Sequence, residues 1–104
     1  MKDKIYLYES DKPTKKFYIQ YINPKTGREK RTYFGQAGAN DYRITKDDEA
    51  KARYLKRHRG MGEDYTNIYT PGALSKFLLW NQKTLNKSIK DVNEKFGVKI
   101  IKKF

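Results

Sequence analysis

Apolar and polar positions change their period near the middle of this chain. From Phe17 to Ile22 they alternate, with Phe17, Ile19 and Tyr21 on one side and Tyr18, Gln20 and Ile22 on the other. A period of two marks a strand. Asn23-Pro24-Lys25-Thr26-Gly27 follows, where Pro24 sets its own φ and Gly27 can take a positive φ as the chain returns. Arg28 to Phe34 is the predicted return strand of a hairpin. Ile5 to Tyr8, short and aromatic, predicts an earlier strand that pairs with the second across Ser10 to Thr14. The glycines of Gly35-Gln36-Ala37-Gly38-Ala39-Asn40 break the pattern into a loop, and Tyr42 to Ile44 reads as a short extended piece.

Beyond Thr45 the period becomes helical. Thr45 is placed to cap a helix, with Asp48 three residues on, and Gly60 stops it after Arg59. Its apolar stripe is thin: Ala50, Tyr54, Leu55 and His58. A linker, Met61 to Tyr69, leads to Thr70-Pro71, a cap followed by proline at the first helical position. Leu74, Phe77, Leu78 and Asn81 keep helical spacing, and Asn81 to Lys83 ends that segment. Thr84 then caps a third helix, in which Leu85, Ile89, Val92 and Phe96 form one stripe and Gly97 is the stop. Val98 to Phe104 alternates weakly, as a tail or an edge strand would. The expected fold is α+β: a small N-terminal antiparallel sheet of three strands, three helices, and a C-terminal edge strand. One domain accounts for residues 1–104, with its sheet in 1–44, its helices in 45–97 and its tail in 98–104.

Charge adds what hydropathy does not show. Lys and Arg number 24 against 12 Asp and Glu, a formal net charge of +12. The pI of about 9.8 exceeds the value of about 9 that flags nucleic-acid binders. The excess does not describe a disordered basic arm, because nine Tyr, five Phe and Trp80 are spread along the chain. No cysteine is present, which excludes disulfides, thiolate metal sites and a thiol nucleophile. The opening MKDKIYLYESDK lacks the apolar run of a signal peptide, and no apolar stretch approaches the roughly 20 residues that span a bilayer. These features predict a soluble, intracellular protein with no membrane partner.

The densest charge lies in Lys51 to Arg59, where five of nine residues are Lys or Arg. Asp47, Asp48 and Glu49 precede it, so the helix is acidic at its start and basic thereafter, as its dipole favours. Arg53, Lys56 and Arg57 at i, i+3, i+4 can share one solvent face. Together with Arg59 they are the first candidates for contacts with phosphate. Lys30, Arg31, Arg43 and Lys76 are the second. Such contacts position a protein on DNA or RNA without reading sequence. The tyrosines are expected to pack the sheet rather than stack on bases, and Trp80 to anchor the core. The FGQAG loop lacks the GK[ST] ending of a P-loop, so it is expected to turn the chain rather than hold ATP. No catalytic residue, metal site or cofactor is expected. The competing enzymatic reading is a metal-dependent nuclease built on His58, Glu63 and Asp64.

The block YFGQAGANDYRITKDDEAKARYLKRHRG, followed by TPGALSKFLLWN and TLNKSI, resembles a family of small basic proteins encoded mainly by nucleocytoplasmic large DNA viruses. The resemblance rests on Phe34, Gly35 and Gly38, the Asp41-Tyr42 pair, Lys46-Asp47, Tyr54 with Arg57-His58, and Leu74-Ser75 with Leu79-Trp80-Asn81. Thr45 stands where the family often has His, and Tyr65 is the aromatic nearest to a frequent Trp. The resemblance implies a virion or a viral factory in the host cytoplasm and no mechanism. The alternative role in that setting is a minor structural protein docked on acidic capsid or core proteins.

Overall fold

The computed structural model describes residues 3–60 and 65–104. Glu63 and Asp64 of the nuclease reading, and part of the linker, lie outside them. Strands β1 (Asp3–Glu9), β2 (Lys15–Ile22) and β3 (Glu29–Gln36) form the antiparallel sheet that the alternation predicts. Register sets Ile5 opposite Tyr21, Leu7 opposite Ile19 and Phe17 opposite Phe34, so one face gathers the apolar side chains. The 23–27 turn closes by its own chemistry. Gly27 takes φ 71°, and its N–H donates to the Asn23 carbonyl at 2.8 Å.

The weakly alternating tail is a strand, β4 (Val98–Lys102). It lies parallel to β1 at one edge of the sheet, in the order β3-β2-β1-β4. Val98 and Ile100 enter the core while Lys99 stays exposed. Parallel neighbours need a long crossover, and the helices supply it.

These helical segments are α1 (Tyr42–Thr45), α2 (Asp48–Arg59), α3 (Pro71–Leu74) and α4 (Leu85–Phe96), with a π-helical turn, Ser75–Leu79, directly after α3. Thr70, Thr84 and Gly97 cap as expected, with Gly97 left-handed at φ 65°. Three expectations are corrected. Residues 42–44 are helical rather than extended, because the Asp41 carboxylate accepts the Arg43 N–H at 3.0 Å and starts a turn. The cap of α2 is Asp47 rather than Thr45; its Oδ1 accepts the N–H groups of Glu49 and Ala50 at 2.9 and 3.3 Å. Lys46 is left-handed at φ 51° and separates the two segments, and Asp is the stronger cap of the two. The segment after Pro71 does not stay α-helical to Asn81. It widens at Ser75, where the π turn turns less per residue and brings the consecutive Phe77, Leu78 and Leu79 into the core.

The helices cover one face of the sheet. There Ile5, Leu7 and Ile19 meet Leu74, Leu78 and Val92 in a single apolar cluster. The opposite face carries Tyr8, Tyr18 and Tyr33, one on each of three neighbouring strands and directly opposite one another. Their ring centroids lie 5.1 and 5.0 Å apart. The Arg31 guanidinium sits 4.8 Å over Tyr18, and the Lys12 ammonium 4.1 Å over Tyr33. These rings turn toward each other, and Tyr18 is only 8% exposed. Among the described residues no helix is long and apolar enough to cross a membrane.

Candidate nucleic-acid interface

Helix α2 presents its cations as its spacing predicts. Tyr54 is buried, Ala50, Leu55 and His58 are half-buried, and Arg53, Lys56, Arg57 and Arg59 are exposed. Ion pairs among the described residues involve Lys16, Arg31 and Arg43, and none of these four. The acidic residues at the start of α2 are directed elsewhere: Asp47 caps the helix, and Asp48 accepts a hydrogen bond from the Tyr42 hydroxyl. Lys51, in the same basic run, turns inward. Its Nζ donates to the Asn81 carbonyl at 2.6 Å and lies 4.9 Å over the Tyr42 ring, tying α2 to the segment after the π turn.

The second group of candidates divides. Lys76 joins the first group: with Arg59, Leu55 and Tyr65 it lines a hollow of about 190 Å³, its ammonium 4.2 Å over the Tyr65 ring. Lys30 and Arg31 are exposed on β3, but as neighbours on a strand they point to opposite faces. Arg31 is 3.6 Å from Asp11 as well as stacked on Tyr18. Arg43 goes to an internal partner. Its Nε and a terminal nitrogen grip the two oxygens of Asp41 at 3.0 and 2.8 Å. That fork is satisfied inside the protein and is not presented to a phosphate.

Asp41 is the centre of a cluster that sequence reasoning missed. Its carboxylate is 1% exposed and meets Lys16 Nζ at 2.7 Å as well as Arg43. Burial pushes this carboxyl up. Hydrogen bonds from Arg43 and Lys16, with their charges, outweigh burial and hold it below the ordinary carboxylate range. The same Lys16 ammonium donates to the Ala39 carbonyl, so it also fastens the loop after β3.

Beside this cluster opens a cleft of about 290 Å³. One wall is aromatic. Tyr54 and Trp80 stack at 4.5 Å with their planes 7° apart, and the His58 ring lies 4.0 Å from Tyr54. The rest of the lining is Gly35 and Gln36, which end β3 rather than belonging to the loop expected from Gly35, then Ala39 and Asn40 of the loop that follows, Lys16, Asp41, Arg57 and Ser75. Gly35 holds φ 77°, and a Cβ there would fall 2.9 Å from Leu79 Cδ1, so only glycine lets the end of β3 approach the π turn this closely. The loop turns the chain, as expected, and it also walls a cavity. Among the described residues no group of three or more His, Cys, Asp or Glu could hold a metal ion.

The result is an α+β domain whose basic helix runs beside a polar, aromatic cleft. The sequence model of a family of unknown function (DUF5754) matches residues 5–58, and the chain belongs to that family. No curated protein and no solved structure matches the chain.

Proposed function

We propose that this protein binds DNA or RNA through the phosphate backbone, with little sequence preference. The supporting observation is that Arg53, Lys56, Arg57 and Arg59 are exposed on α2 with no carboxylate partner among the described residues. Cations already paired would have to exchange partners to meet a phosphate. Unpaired ones need only displace the counterions condensed on the polymer, and that release drives association. Lys76, gathered beside Arg59, extends the surface. A virion or viral factory, implied by the resemblance, is the setting that belongs to this reading.

The test is equilibrium binding of short duplex DNA, single-stranded DNA and duplex RNA at two salt concentrations. All three should bind, with the logarithm of affinity falling linearly against the logarithm of salt. A net charge of +12 produces some association at low salt whatever the biology, so binding must persist near physiological ionic strength. Its disappearance there overturns the reading. Capture of acidic virion proteins that survives nuclease digestion would favour the structural role instead.

A further inference from the structure

We infer that the cleft between the glycine loop and the Tyr54–Trp80 stack is a binding site for a nucleoside monophosphate, free or as the phosphorylated end of a strand. The inference rests on the nucleic-acid reading where a strand end is the source, and stands apart from it where the nucleotide is free.

Three features of the cleft bear on its ligand. The first is charge. Among the described residues that line it, Asp41 is the one carboxylate, and Lys16 and Arg43 together already exceed its charge. Arg57 adds a guanidinium with no ion pair among the described residues, so the lining favours an anion. The second is shape. Tyr54 lies between Trp80 and His58, so the face of Trp80 turned away from Tyr54 is the flat apolar surface left to a ligand, and Gln36, Asn40 and nearby backbone share the lining. A planar group with a hydrogen-bonding edge suits such a lining. At about 290 Å³ the cavity suits one nucleotide and excludes a duplex. The third is backbone. Ser75 and Leu79 reach the cleft from the π turn and Trp80 from just beyond it, and such turns recur at functional sites. Arg57 belongs both to the cleft and to the exposed face of α2, so a strand lying along the helix could deliver its end into the cavity.

Trp80 is the one tryptophan of the chain, so its fluorescence reports on this wall. The experiment titrates the whole protein with uridine, uridine 5′-monophosphate, and a short single strand bearing either a 5′-hydroxyl or a 5′-phosphate. Trp80 emission and affinity are read together. The monophosphate should change Trp80 emission where uridine does not. The 5′-phosphorylated strand should bind roughly tenfold tighter than its hydroxyl twin, the effect of one or two charge-assisted hydrogen bonds. Arg57→Ala should abolish that preference, whereas Arg53→Ala should weaken both strands alike. Equal affinities with silent Trp80 emission overturn the cleft proposal and leave backbone binding standing. Binding of free monophosphate without either strand overturns the nucleic-acid reading and supports the cleft as a free-nucleotide site.

Discussion

The Lys16 ammonium reaches from the start of β2 to lie 2.7 Å from the Asp41 carboxylate, which is sealed beneath the loop that follows β3. This pair, with Arg43, fixes the floor of the cleft. Removing the carboxylate leaves two largely buried cations unpaired. Asp41→Ala should therefore cost about 3 kcal/mol or more, measured by urea denaturation. Asp41→Asn keeps the shape and the helix cap but loses the charge, and it gives the matching pH test. The Asp41 carboxyl is held below its ordinary value in the folded protein. Its contribution is therefore fully present above the unfolded carboxyl pKa of about 4 and is lost as pH falls through the lower, folded value. Wild-type stability should fall across that acid range more steeply than that of Asp41→Asn, and parallel curves would disprove the assignment.

Gly35 at the end of β3 and Gly38 in the loop after it should respond differently to alanine. Both Gly35 and Gly38 hold positive φ, 77° and 82°. A Cβ at Gly38 meets nothing within 4 Å, so Gly38→Ala should cost only the backbone strain of about 1–2 kcal/mol. At Gly35 a Cβ also collides with the buried Leu79. Gly35→Ala should therefore cost about 1–3 kcal/mol more than Gly38→Ala in the same denaturation experiment.

On α2, each cation that touches a phosphate should contribute about one counterion to the salt dependence. Arg53→Ala with Arg57→Ala should lower the slope of log K against log salt by about 2, with little change in thermal stability. An unchanged slope would place the binding surface elsewhere.

The tyrosine row should behave as packing. Tyr18 is enclosed by Tyr8, Tyr33 and the Arg31 guanidinium. Tyr18→Ala should destabilise the fold by about 3 kcal/mol. Where the variant is still folded, its affinity for single-stranded DNA, whose bases are free to stack, should match that of the wild type. A loss of affinity without a loss of stability would instead make the row a base-stacking surface.

The parts of the fold legible in the sequence were those written locally. Alternation from Phe17 to Ile22, the Pro24–Gly27 turn, the Thr70 and Thr84 caps and the Gly97 stop each depend on a few consecutive residues, and each is where it was expected. Thr45 reads as the cap of α2 because it is a good capping residue, but Asp47 stands two positions on, and the left-handed Lys46 between them leaves Asp47 as the one that acts. The exposed cations of α2 followed from helical spacing. That they have no ion-pair partner among the described residues did not, since that depends on where Asp47 and Asp48 point. The cleft was illegible for a related reason. Lys16, Asp41, Arg57 and Trp80 sit on separate elements, and no spacing rule connects them. The capping position of Asp41, next to a glycine loop, was the one available sign.

Strand β4 pairs with the first strand rather than with β3, the strand that precedes it in the chain, and sets Val98 beside Asp3. During vectorial synthesis β1 therefore waits with one edge unsatisfied until residues up to Lys102 have left the ribosome. Closing that long loop makes the pairing of β4 with β1 an entropically costly step. Until then, the strand that carries Ile5 and Leu7 offers an open edge to any other extended segment that meets it.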